Sequence, residues 1–217
     1  MRIRTFSLVC GLALLAGCST HNESSDFTAS GYLADHGAVR IWRKNYGETV
    51  HMLTVYTPFS DSGVVETYYT WQRNHLMSVE RHMKGSQPDD VTLRFDSGGK
   101  LSFMQRQLAG HREPLRNDEV ALYQFDAQRM LQISDALLDG RVVLHQGRWQ
   151  SDNKVIDCHD QYVDPSFDEH ALRAVQQIQG TDHTPVSVAW LQAAQGTQLL
   201  LVSTRDLCMA EPKEPSF

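Results

Sequence analysis

Ser97-Gly98-Gly99-Lys100 is the one segment whose spacing suggests covalent chemistry. It fits S-x-x-K, in which a serine opening a helix gives its proton to a lysine one turn later. Two adjacent glycines make these residues a hairpin turn instead, which splays the two side chains. The chain has no G-x-S-x-G, and the cysteine assignments below leave no thiol to pair with a histidine. No catalytic residue is assigned. Ten histidines invite a metal, but no H-E-x-x-H or C-x-x-C pair is present. The densest cluster is Asp157-Cys158-His159-Asp160, with Asp164 and His170 nearby. Its cysteine reads more simply as a disulfide partner and the rest as a solvated acidic loop. No metal or cofactor is assigned.

The four cysteines divide by position. Cys10 lies in an apolar run, Phe6 to Ala16, that follows Arg2 and Arg4 and precedes small residues. That order is a secretory signal over residues 1–17, and the run is too short for the roughly 20 residues of a membrane-spanning helix. Leu15-Ala16-Gly17-Cys18 resembles the lipobox of bacterial lipoproteins. The resemblance implies cleavage before Cys18, a diacylglycerol on its thiol and an acylated amine, so that the chain joins a bilayer through Cys18. Three acyl chains at ~0.8 kcal/mol per buried CH2 would hold it there permanently. Two cysteines then remain, Cys158 and Cys208, and outside the cytoplasm an even remainder reads as a disulfide. Closing that loop would add ~4 kcal/mol in the chain-entropy model.

Charge narrows the partners. The formal charge of −6 becomes −8 once a signal holding Arg2 and Arg4 and no acid is removed. Such a surface repels phosphate backbones, so nucleic acid is not an expected partner, nor is a polybasic membrane patch expected. Residues 18–27 read as the lipidated terminus and a tether without an apolar residue from Ser19 to Asp26, reaching at most ~30 Å. Ser19 stands where an inner-membrane retention signal would place Asp. By the lipoprotein sorting rule, this implies the periplasmic face of the outer membrane.

The elements expected to hold the rest form one α+β domain over residues 28–210. Residues 28–116 alternate in short apolar and polar runs between turns such as Asn45-Tyr46-Gly47, Arg73-Asn74 and Asp96-Ser97-Gly98-Gly99. This predicts a curled antiparallel meander of about seven strands. A helix over 117–139 should cover it. Asn117 would be the cap, Val120, Tyr123, Ala127, Met130 and Leu131 would form the buried stripe, and Gly140 would be the stop. A smaller β-β-α-β-β portion follows over 140–210. Its helix would be opened by a capping box of Ser166 and Glu169 and buried through Leu172, Val175 and Ile178. Residues 211–217 read as a frayed tail.

Several segments together resemble the YjaH-type lipoproteins of enteric bacteria and vibrios. They include Val39-Arg-Ile-Trp-Arg43, Leu101-Ser-Phe-Met-Gln-Arg106, Val120-Ala-Leu-Tyr-Gln-Phe-Asp-Ala-Gln-Arg129 and Val186-Ser-Val-Ala-Trp-Leu191. The family's function is unknown, so the resemblance implies an envelope protein and carries over no site residues. Three functions follow as expectations. The first is a non-enzymatic envelope module that binds a protein partner or ligand. The second is a carrier enclosing a lipid-like ligand between sheet and helix, with Trp42, Tyr69, Trp71 and Tyr123 lining the groove. In that case Arg40, Arg43 and Lys44 could meet an anionic head group, although charges on an exposed strand explain them equally well. The third is a hydrolase with acid and base residues scattered in sequence.

Overall fold

The computed structural model describes residues 26–60 and 63–217, so Cys18 and the signal lie outside the described residues. Alternating runs dominate the first half and become eight antiparallel strands, each paired with the next. These are β1 (Phe27–Ala34), β2 (Gly37–Tyr46), β3 (Thr49–Pro58), β4 (Val65–Gln72), β5 (His75–Met83), β6 (Asp89–Phe95), β7 (Leu101–Leu108) and β8 (His111–Arg112). The meander has eight strands where about seven were expected, because two residues after Gly110 pair once more with β7. Arg73 and Asn74, at φ 51° and 63°, make the tight β4–β5 turn, whose second position suits asparagine.

Helix α1 (Asn117–Asp139) follows. Arg116, not Asn117, is the cap residue. Its backbone N–H donates to the Glu119 carboxylate at 2.8 Å, and the acids of the first turn suit the positive helix end. Gly140 keeps helical dihedrals, and the left-handed residue is Arg141 at φ 51°. The helix buries Val120, Ala127 and Leu131 against Val39, Ile41, Met52, Tyr69, Trp71 and Val79 of the sheet.

The second half forms a five-stranded antiparallel sheet, ordered β11-β10-β9-β12-β13. Its strands are β9 (Val143–Trp149), β10 (Val155–Asp157), β11 (Tyr162–Val163), β12 (Ser187–Ala193) and β13 (Gly196–Ser203). One face packs on the first sheet through Leu144, Ala189, Leu191 and Leu200 against Ala38, Trp42, Leu53 and Val55. The other face packs on helix α2 (Glu169–Gln179), with Val155, Val175, Val188 and Trp190 at its centre. The order is therefore helix, sheet, sheet, helix. Gly31 has no side chain for a packing reason: a Cβ there would stand 2.5 Å from the Val39 carbonyl oxygen and against Leu200 of the second sheet.

Three expectations change in this half. Asp168 caps α2, its carboxylate accepting from the Ala171 N–H at 2.8 Å, while Ser166 sits outside at φ 51°. The buried side of α2 is Ala171 and Val175, and Ile178 is exposed. The C-terminal segment is docked rather than frayed. The Glu211 carboxylate accepts from Gln146 at 2.7 Å, Lys44 donates to the Glu214 carbonyl at 2.9 Å, and Phe217 meets Phe27 edge-on. The Phe217 ring, the Glu211 carboxylate and the Glu214 backbone carbonyl anchor this segment, where composition alone suggested solvent.

Candidate functional site

The two faces of the first sheet are set by parity. Arg43, Met52 and Tyr69 are cross-strand neighbours, and Trp42, Leu53 and Tyr68 form the adjacent row. Successive side chains point to opposite faces, so these rows cannot share a groove. Trp42 faces the second sheet, while Tyr69 and Trp71 lie stacked under α1 with ring centroids 5.4 Å apart. Tyr123 comes from the helix to the same side. Of the four expected groove residues, the fold brings three to one face and sends Trp42 to the other.

Along the helix-covered face, each strand changes character from one end to the other. In β3, Met52 gives way to Thr54. In β4, Trp71 and Tyr69 give way to Thr67, and in β5, Val79 gives way to Arg81. β6 changes from Val91 to Asp89, and β7 from Met104 to Arg106. Because the strands run antiparallel, these changes fall at the same end of the sheet. One end is an apolar floor for α1; toward the other, Thr54, Thr67, Arg81, Val91 and Arg106 share a row, and Asp89 stands one row further on.

A cleft of about 530 Å³ opens at that polar end, between α1 and strands β1 to β5. That volume lies within the range of ~300–1,000 Å³ typical of small-ligand sites. Thr54, Thr67 and Tyr69 line it from the sheet. Burial pushes the Tyr69 hydroxyl up to about 12, with hydrogen bonds from Thr54 and Thr67 partly opposing the shift, so the phenol stays protonated. Tyr32 of β1 and Tyr123 of α1 form side walls, and burial raises both phenols. Met130 and Ile133 add apolar surface from the helix. At the mouth stand Asp126 and Arg129, both exposed.

Charge at the cleft's inner end is already committed. Asp89 is 7% exposed and accepts from Arg106 Nε at 2.9 Å, Arg106 Nη2 at 3.2 Å and Arg81 Nη1 at 3.3 Å. Two guanidiniums on one buried carboxylate fix the position of Arg81, which also lines the cleft. Asp35 and Asp126 bring two carboxylates to the outer part. Both are solvent-exposed, whereas a carboxylic acid that donates a proton at neutral pH is usually sheltered in an apolar pocket.

The basic residues of β2 divide differently from either expectation. Arg40 is 4% exposed and lies between the sheets, donating to the Gln146 side-chain oxygen at 2.6 Å, with its guanidinium 5.5 Å from the Trp42 ring centre. Gln146 in turn donates to Glu211. Burial pushes Arg40 down to about 10, which Glu211 and Glu66 partly oppose. Arg43 reaches Asp135 of α1 at 2.5 Å, and Lys44 holds the C-terminal segment. Arg40 is therefore neither a head-group contact nor a surface charge.

The acidic loop near Cys158 is a folded turn. The Asp157 carboxylate accepts from the backbone N–H groups of His159 and Gln161, and Asp160 pairs with Arg148 at 2.8 Å. Among the described residues, no three potential ligands converge to hold a metal. Cys158 is bonded to Cys208, with Cα atoms 5.1 Å apart, tying this loop to the short 3-10 turn Cys208–Ala210. At Ser97-Lys100, the Asp96 carboxylate accepts from the N–H groups of Gly98 and Lys100, so the segment is a turn with no helix for S-x-x-K chemistry.

Sequence reasoning named Tyr69 and Tyr123 but missed Tyr32, Thr54, Thr67, Arg81, Asp126 and Arg129. The readable signal was the threonine interrupting an otherwise apolar row in both β3 and β4. Its meaning depended on knowing that antiparallel pairing aligns the two interruptions.

Comparison with other proteins places the chain among relatives without an assigned activity. The family described as "Protein of unknown function (DUF1481)" matches residues 29–213. The chain is 41% identical over 211 residues to "Uncharacterized protein YjaH" of Escherichia coli (strain K12), covering 97% of this chain and 91% of that protein. No solved structure matches.

Proposed function

The chain belongs to the DUF1481 family, and from that footing we propose that it is a lipid-anchored, non-enzymatic binding module at the periplasmic face of the outer membrane. Cys18 would carry the lipid, and the domain beyond a short tether would bind an envelope protein or a ligand. The observation that carries this reading is the Cys158–Cys208 disulfide. A stable disulfide belongs to an oxidising compartment, and this one accounts for both cysteines downstream of Cys18. The signal-like order of residues 1–17 and Ser19 after the anchor cysteine support the same address. The exposed setting of Asp35 and Asp126 favours binding over hydrolysis.

The polar end of the helix-covered face weakens the alternative of a lipid-like ligand between sheet and helix. An acyl chain would leave the Tyr32 and Tyr123 hydroxyls facing hydrocarbon, at a cost for each unsatisfied group, and would lie against the Arg81 guanidinium. Mass analysis of protein from bacterial membranes should find residue 18 as an acylated N-terminus, and Cys18→Ser should move the protein from the membrane to the soluble fraction. A bare thiol at residue 18, or a Cys18→Ser protein still in the membrane fraction, would overturn the anchor.

A further inference from the structure

The cleft under α1 differs chemically from the two kinds of core around it. Its lining mixes aromatic and aliphatic surface with hydroxyls. Thr54 and Thr67 already bond Tyr69 and keep acceptor sites, while the Tyr32 and Tyr123 hydroxyls can both donate and accept. Tyr32, Tyr69 and Tyr123 present neutral phenols, as tyrosines do at neutral pH. Neither Tyr32 nor Tyr123 spends its hydroxyl on a hydrogen bond within the described residues, and Asp126 and Arg129 at the mouth have no salt-bridge partner there. Charges in the lining balance, with Arg81 and Arg129 against Asp35 and Asp126, so the site offers no net field to an ion.

A ligand matching this surface is uncharged, has its own donor-acceptor hydroxyls around the edge, and presents C–H faces that can lie on tyrosine rings. We propose that the cleft between α1 and strands β1 to β5 is a binding site for an uncharged, polyhydroxylated ligand of saccharide type. Tyr32 and Tyr123 supply stacking faces and hydroxyls, Thr54 and Thr67 supply the polar floor, and Asp126 and Arg129 supply directional contacts at the mouth. The anionic face of a carboxylate and the forked donors of a guanidinium each suit a pair of neighbouring hydroxyls. The proposal takes from the preceding reading only that the protein binds a ligand. It does not depend on acylation of Cys18.

Saturation-transfer NMR on the full mature chain tests it, with maltose, cellobiose and diacetylchitobiose as probes and glucose 6-phosphate and octanoate as charged and lipid-like controls. Transfer to the ring protons of at least one disaccharide is expected, with little to either control. Asp126→Asn with Arg129→Gln, at exposed positions that leave the fold intact, should weaken binding about fivefold or more, the order of one or two lost hydrogen bonds. Tyr32→Phe should weaken it further while keeping the ring. Absence of transfer to all three disaccharides, stronger transfer to a control, or transfer unchanged in these variants would overturn the site. Cleavage of a disaccharide would support the site and overturn the non-catalytic reading, while a failed anchor test would leave the site standing.

Discussion

The two faces of the eight-stranded sheet are covered in different ways. One meets a second sheet, and Trp42, Leu53 and Val55 are sealed there beside the polar relay from Arg40 to Gln146 to Glu211. The other meets one helix, which covers the apolar end and leaves the hydroxylated end as a cleft. A sheet can match a second sheet along several strands at once, whereas a single helix presents only one stripe. Both faces hold the fold together, but the helix-covered face keeps an open end, where Tyr32, Tyr123, Asp126 and Arg129 line a cleft beside the bonded Asp89–Arg81–Arg106 group.

Substitutions can break this contrast, the largest effect first. Trp42→Ala should cost ~3–5 kcal/mol in urea unfolding, since the ring is 1% exposed and leaves a cavity between two stiff sheets. Gln146→Ala removes the side-chain acceptor bonded to the buried Arg40 guanidinium and should cost ~2 kcal/mol. Arg40→Met in the same background should restore part of that loss, because the unpaired charge goes with it.

The helix-covered face should respond to pH instead. The Tyr69 hydroxyl is raised to about 12, so above the ordinary value near 10 the unfolded chain loses a proton that the folded chain keeps. Stability should therefore fall as pH rises past 10, by up to ~3 kcal/mol from this group, and Tyr69→Phe should flatten that limb of the curve. The smallest effect is expected at the mouth. Asp126→Asn with Arg129→Gln should leave the unfolding free energy within ~0.5 kcal/mol of the parent while altering ligand binding. A large loss of stability from that pair would erase the distinction between the two faces.

Much of this arrangement is open to inspection in the chain itself. The stripe from Val120 to Leu131 marks α1, because helical periodicity over 23 residues is a strong local signal. The alternation of Val39 and Ile41 with Arg40 and Trp42 separates the faces of β2. It does not say which face of β4 joins which face of β2, so aromatic content groups Trp42 with Tyr69 when one residue of parity divides them. Arg40 reads as exposed because a charged residue on a strand usually is, and only the second sheet lying over it makes it buried. The C-terminal segment reads as frayed for a similar reason, since its anchors, Gln146, Lys44 and Phe27, are remote in sequence.

Local choices are legible along the chain: strands where side chains alternate, and α1 where they recur every three to four residues, while the Cys158–Cys208 bridge joins positions 50 residues apart. Tertiary structure decided which rows face each other, that Thr54, Thr67 and Arg81 fall at one end of one face, and that Tyr123 closes over them. The physical reason is range. Periodicity and turn chemistry act between residues a few positions apart, whereas a cleft is defined by residues that meet only after antiparallel pairing and packing have fixed register across the whole sheet.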